Sequence, residues 1–361
     1  MARLLNPDPT FWRGKRVFLT GHTGFKGTWL ALWLERLGAS VVGYALPADT
    51  SPALFTLANQ ENLRNVFADI RDGTRLAAEM ATAAPDIVLH LAAQSLVQRS
   101  YREPAATIET NVLGTVHLLE AMRRTPSARC AVIITSDKCY ENREWVWAYR
   151  EDEPLGGFDP YSASKACAEL ITAAWRRSFF RSTPPAAIAS ARAGNVIGGG
   201  DWAENRLLPD CIRALTRGEP IGIRNPAARR PWQHVLEPLS GYLLLAERLW
   251  RDGIEAAEAW NFGPSAEESI PVSKIADLVV TIWGEGASWR PLQTRQSHEA
   301  HLLAVDAAKA RARLGWSPRL RVAEAVEWTV RWHRRYREGA AAEALILDDI
   351  ARYELTGTTT P

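Results

Sequence analysis

The chain has 361 residues, 47% hydrophobic and 23% charged, with 43 basic against 41 acidic side chains. So even a balance gives no bulk field for holding nucleic acid, and the apolar content excludes a disordered or collagen-like chain. No apolar run approaches the roughly 20 residues of a membrane helix and no signal-peptide core is visible, so a cytoplasmic protein without membrane or nucleic-acid partners is expected.

Arg16–Thr20 reads as a first strand, followed by a glycine turn and a helix from about Gly24 to Leu37 that stops at Gly38. Ser40–Leu46 and Asn65–Ile70 read as the second and third strands, with a helix near Thr74–Ala83. Asp86–Ala93 makes a fourth strand and Ala131–Ser136 a fifth. Short, nearly continuous apolar strands separated by helices are what a parallel sheet covered on both faces requires. The expected fold is α/β, a doubly wound parallel sheet of the Rossmann type. Past about residue 195 the pattern loosens into Gly-, Pro- and Trp-rich loops. Residues 1–194 are therefore expected to form the sheet domain and 195–361 mainly a smaller C-terminal lobe, with segments free to interleave.

The four cysteines form no C-x-x-C pair, which supports neither a disulfide framework nor a cysteine zinc site. His298 and His301 are three residues apart with no further ligand cluster, so no metal is expected.

Gly21-His22-Thr23-Gly24-Phe25-Lys26-Gly27 follows the first strand and opens the first helix. Glycines at this spacing allow a tight turn and the approach of backbone to a pyrophosphate, and the helix N-terminus offers oriented N–H groups to the anion. An acid at the end of the second strand would hold the adenosine ribose, but Val41 to Pro47 contains none and the first is Asp49. A dinucleotide held weakly is the expectation, with His22 and Lys26 placed to reach ribose or phosphate.

Tyr161 and Lys165 stand four apart in Asp159-Pro160-Tyr161-Ser162-Ala163-Ser164-Lys165, on one face of a predicted helix. A lysine cation beside the phenol favours phenolate and makes the tyrosine a usable base. Thr135-Ser136-Asp137-Lys138 leaves the fifth strand at its carboxyl end, where an open α/β sheet places ligands.

In the G-x-x-G-x-x-G spacing and the Tyr161–Lys165 pair, the sequence resembles the extended short-chain dehydrogenase/reductase superfamily. That resemblance implies NAD, held at Gly21, His22, Gly24, Phe25, Lys26, Gly27, Asp69, Ile70, Ala92, Gln94, Asn111, Tyr161 and Lys165. It implies that Tyr161 takes a sugar hydroxyl proton, that Ser136 contacts the same hydroxyl, and that Asn195, Arg230 and Arg295 bind a nucleotide diphosphate. An acid following Ser136 is similar to the nucleotide-sugar 4,6-dehydratases, and Asp137-Lys138 with GHTGFKG resembles their CDP-glucose branch. Dehydration needs an acid to release the carbon 6 hydroxyl, for which Asp137 suits if its pKa is raised. It also needs a base for the carbon 5 proton, for which Lys138 suits if its pKa is lowered. The resemblance also implies a homodimer or dimer of dimers through helices near 105–123 and 161–180. Another nucleotide-sugar dehydratase, a 4-epimerase and a non-catalytic NAD sensor remain open as alternatives.

Overall fold

A computed structural model describes residues 5–60, 62–181, 186–292 and 302–356. Strand β1 (Arg16–Thr20) leads through the glycine turn into helix α1 (Phe25–Arg36), and β2 (Ser40–Ala45) and β3 (Arg64–Phe67) follow. Helix α2 (Gly73–Ala83) begins at Asp72, whose carboxylate accepts the Arg75 amide hydrogen. Then come β4 (Ile87–His90), α3 (Gly114–Arg123), β5 (Cys130–Ile134), the 20-residue α4 (Pro160–Phe179) and β6 (Ala187–Ala193). Helices α5 (Leu207–Thr216) and α6 (Leu236–Asp252) precede β7 (Ala259–Phe262), and α7 (Val272–Trp283), α8 (Val322–Arg337) and α9 (Ala342–Thr356) complete the chain.

The seven strands form one sheet in the order β7-β6-β5-β4-β1-β2-β3, every neighbouring pair parallel. The order reverses direction between β1 and β4, the switch point where open α/β sheets bind ligands. One face is covered by α1, α6 and α9, with Trp29, Trp33, Leu243 and Ile350 in its core. The other is covered by α2, α3 and α4, with Leu76, Met80, Leu118 and Leu119 beneath them. The central strands β4 and β5 are buried at every residue, whereas the edge strand β3 buries only Val66.

The chain crosses the 194/195 division more than once. α6 and β7 return to the sheet, and α9 is pinned to α1 by Trp33 Nε1 donating to Glu354 at 3.0 Å. Beneath it, Tyr353 Oη donates to the buried Glu237 carboxylate at 2.7 Å. The smaller lobe is what remains: α5, α7 and α8 around Ile197, Ile223, Ile275 and Val326, with three short two-stranded pairs. It faces the carboxyl ends of β5 and β6 and closes a cavity over them.

Candidate active site

The glycine turn is shaped by contacts that leave no room for a side chain at two of its three glycines. Gly21 has φ +76°, and a Cβ there would lie 2.6 Å from the Ala92 nitrogen. A Cβ on Gly27 would lie 2.0 Å from the Gly21 carbonyl oxygen, so this glycine lets α1 press on the turn. Gly24 is different, being exposed with its nearest such contact at 3.5 Å. Internal packing does not demand a glycine there, whereas an approaching pyrophosphate would. The turn therefore fits a dinucleotide, its open cradle lying at the N-terminus of a twelve-residue helix.

One expected cofactor contact is corrected. His22 does not reach outward: the ring is fully buried against Phe55 and Phe67, in space that a Cβ on Gly43 would fill at 2.4 Å. Burial pushes its pKa down to about 4, so it supports the turn as a neutral ring. Asp69 lies beyond the end of β3 with its carboxylate engaged by Arg71 at 2.6 Å, an ion pair that holds it below the usual carboxylate range. No acid stands at the end of β2: Leu46 is exposed there, and Asp49 faces Arg99 at 3.7 Å.

Gln94 and Asn111 hold each other. The Asn111 carboxamide accepts from the Gln94 amide at 2.8 Å and donates to the Gln94 carbonyl at 2.9 Å and to Ser164 Oγ at 2.8 Å. This ties the loop after β4 to α4, the helix carrying Tyr161 and Lys165. Ile70 packs where a Cβ on Gly114 would come within 2.9 Å, supporting α3 rather than the turn.

Ser136, Asp137, Lys138, Tyr161, Asn195 and Arg230 all line one cavity of about 600 Å³, together with Phe25 and Lys26. Residues far apart in sequence thus converge at the carboxyl edge of the sheet. Arg295, like His298 and His301, lies outside the described residues. Among the described residues no group of three or more His, Cys, Asp or Glu could hold a metal ion.

Asp137 is 3% exposed. Ser136 Oγ donates to its Oδ1 at 3.0 Å, and Oδ2 has no hydrogen-bond partner among the described residues. Burial raises its pKa, opposed by the charges of Lys138 and Arg230, which suits a carboxyl group that must give up a proton. Gly194 makes room for it, since a Cβ there would lie 3.0 Å from Oδ2 and 2.6 Å from Pro231.

The tyrosine environment differs from expectation. Burial pushes Tyr161 up to about 12, and the groups pulling it back are the Ser136 hydroxyl and the Arg206 charge, not Lys165. Lys165 lies beneath the cavity floor, its Nζ donating to the Ile134 carbonyl at 3.2 Å. Burial lowers it to about 8. Lys26 is also pushed down, to about 7, by burial and by the charges of Lys165 and Arg206.

Arg206 was not visible as a site residue in the sequence. It lines the cavity and bridges two loops, donating to Asp201 at 3.1 Å and to Ser95 at 3.0 Å. It sits in a loop without periodicity, so no local pattern singled it out. Glu169 was also missed, although it continues the helical face of Tyr161 and Lys165 at a spacing of four, a signal the sequence did contain.

The chain matches the model of the GDP-mannose 4,6 dehydratase family over residues 18–329. It is 52% identical over 337 residues to a CDP-glucose 4,6-dehydratase of Salmonella typhimurium, covering 92% of this chain and 94% of that one. To dTDP-glucose 4,6-dehydratase 1 of Escherichia coli it is 29% identical, covering 88% and 92%. Among solved structures, DesIV of Streptomyces venezuelae, a dTDP-glucose 4,6-dehydratase with NAD and TYD bound, superposes with a TM-score of 0.76 at 26% identity, covering 90% of this chain and 98% of that one. The epimerase Mth375 of Methanothermobacter thermautotrophicus shares the fold with a TM-score of 0.81 at 24% identity, covering 92% and 95%.

Proposed function

The chain belongs to the GDP-mannose 4,6 dehydratase family, and we propose that it is an NAD-dependent hydro-lyase converting CDP-D-glucose to CDP-4-keto-6-deoxy-D-glucose. The observation that carries this reading is the buried Asp137, followed by Lys138 and facing the cavity beside Ser136 and Tyr161. A 4-epimerase needs no acid to release a carbon 6 hydroxyl; a dehydratase does. Identity of 52% to a relative named for CDP-glucose favours that nucleotide over dTDP.

Bound NAD would supply the redox chemistry, as acceptor of the carbon 4 hydride and donor of a hydride to carbon 6. The turn from Gly21 to Gly27 would hold its pyrophosphate, and Lys165 would hold the nicotinamide ribose. Tyr161 removes the proton of the carbon 4 hydroxyl, with Ser136 hydrogen-bonded to the same oxygen; Arg206 and Ser136 oppose, without cancelling, the burial that pushes the phenol up to about 12. Oxidation makes the carbon 5 proton acidic, and Lys138 removes it. Asp137 protonates the carbon 6 hydroxyl, which leaves as water. Asn195 and Arg230 bind the diphosphate, a task that suits the planar guanidinium fork.

With no ribose acid after β2, NAD is weakly held and exchangeable. Ile108, Leu113, Leu170 and Phe179 are exposed on the segments 104–123 and 160–179, which supports a homodimer or dimer of dimers through those helices. Among the described residues no helix is long and apolar enough to cross a membrane, in keeping with a cytoplasmic enzyme.

The test is incubation of dialysed protein with NAD and, separately, CDP-glucose, dTDP-glucose, UDP-glucose and GDP-mannose, with the products analysed by mass and NMR. A 4-keto-6-deoxy product from CDP-glucose, dependent on added NAD, is expected. Turnover of another nucleotide sugar in its place would overturn the substrate, a carbon 4 epimer would overturn the reaction, and no product from any would leave a dinucleotide-binding protein.

A further inference from the structure

Beneath the cavity floor lies a buried polar cluster that the reaction as written does not use. The Glu169 carboxylate on α4 accepts from Thr135 Oγ1 at 2.5 Å, from Ser190 Oγ at 2.7 Å and from Arg192 Nη2 at 2.9 Å. Both members of the ion pair are 3% exposed. Arg192 Nη1 in turn donates to Tyr140 Oη at 2.7 Å. The cluster thus grips the Ser136–Asp137–Lys138 turn from both sides, at Thr135 just before it and at Tyr140 just after. Glu169 itself is one helical turn beyond Lys165 and two beyond Tyr161. It does not line the cavity, so it touches no substrate.

We propose that Glu169 is a positioning residue for the active site, holding the turn of Asp137 and Lys138 in register with the helix of Tyr161 and Lys165 and supplying the anion that stands opposite the Lys165 ammonium. Three hydrogen bonds keep the carboxylate ionised despite burial, with Arg192 the strongest influence after burial itself. The titratable groups facing Lys165 are Glu169 on its own helix, Cys139 from the turn, His90 from β4 and Lys26 from α1. Burial holds Cys139 as a thiol, and burial lowers His90 to about 3, so neither carries charge near neutrality. Glu169 is the remaining anion in that set, and it opposes the burial that lowers Lys165 to about 8.

The inference rests on Lys165 belonging to the active site, and its test is independent of which sugar nucleotide is used. The chain has six lysines, so protein labelled at the lysine side chains gives a resolvable NMR titration without ligand, with Lys165 assigned through Lys165→Arg. Glu169→Gln keeps the shape and removes the charge. Because it strands Arg192 as a buried cation, Glu169→Gln combined with Arg192→Met serves as the variant that leaves no unpaired charge. In both, Lys165 should titrate about one pH unit lower. The alkaline limb of kcat/KM, which reports the free enzyme, should move down with it. Glu169→Asp, which retains the charge, should restore both. Folded variants in which Lys165 titrates as in the parent protein would overturn the proposal. So would failure of both charge-removing variants to fold, since the carboxylate would then serve the core alone. A Lys165 shift without CDP-glucose turnover would leave this inference standing while removing the proposed substrate.

Discussion

Gly24 and Gly27 lie three residues apart in one motif, yet the structure assigns their missing side chains to opposite causes, and alanine at each separates them. A Cβ on Gly27 would lie 2.0 Å from the Gly21 oxygen and 2.7 Å from the His22 Cα, all of it backbone. To accept it α1 must withdraw by more than an ångström, yet every residue from Gly27 to Trp33 is buried and Trp29 and Trp33 are at 0% exposure. Overpacking of this kind typically costs about 1–3 kcal/mol, so Gly27→Ala should lower the urea midpoint and weaken NAD binding together. Gly24→Ala meets only the Gly21 oxygen at 3.5 Å and has φ −79°, which alanine adopts freely. Its stability should stay within about 0.5 kcal/mol of the parent. Its methyl group nevertheless stands in the cradle at the helix N-terminus, so NAD affinity should fall at least tenfold, about 1.4 kcal/mol. Urea unfolding and NAD calorimetry on both variants provide the check. Undiminished NAD affinity in Gly24→Ala would refute the assignment of the cradle, and unchanged stability in Gly27→Ala would refute the packing argument.

Tyr161→Phe should lose turnover while binding NAD as the parent does, since it removes the proton acceptor and leaves the glycine turn intact; near-native turnover would exclude Tyr161 as the base. Lys138→Ala should still oxidise carbon 4 but slow exchange of the carbon 5 proton and formation of the deoxy product by about 10²–10⁴-fold. Single-turnover product analysis in deuterated water reads this, and unchanged deuterium at carbon 5 would pass the base role to Asp137 or a water it holds. Glu247 is a stability prediction: burial raises it to about 7 while Oε1 accepts from Trp12 Nε1 at 2.9 Å and from the Asp8 amide at 2.8 Å. A carboxyl with its folded pKa raised favours folding fully below its unfolded value and loses that contribution as pH rises through about 7. Glu247→Gln keeps both acceptor contacts and cannot ionise, so it should gain on the parent by roughly 2–3 kcal/mol between about pH 4.5 and 7. A urea-midpoint difference that is flat across that range would disprove the raised pKa.

The strands were legible because burial on both faces of a parallel sheet leaves nearly continuous apolar runs, and β1 falls on Arg16–Thr20 as read. The glycine turn and the Tyr161–Lys165 spacing were legible for a similar reason: their geometry is set within a few residues of backbone. β6 and β7 were not: Ala187–Ala193 is mostly alanine with Ser190 and Arg192 set in it, and Ala259–Phe262 is too short to carry a period and becomes a strand through pairing with β6. What the titratable groups do was decided by tertiary structure alone, since a pKa depends on burial and on charges brought in from elsewhere. The Asp137 pKa is raised because burial at the end of β5 beside Gly194 outweighs the opposing charges of Lys138 and Arg230, Asp69 is paired with Arg71, and His22 turns inward because Gly43 leaves it space. Lys165 is the clearest case, its spacing from Tyr161 written in the helix while its ammonium goes to the Ile134 carbonyl and the charge that most opposes its burial is Glu169. Helical periodicity places a side chain on a face, but only packing against other elements fixes which atoms that side chain meets and how much water it loses.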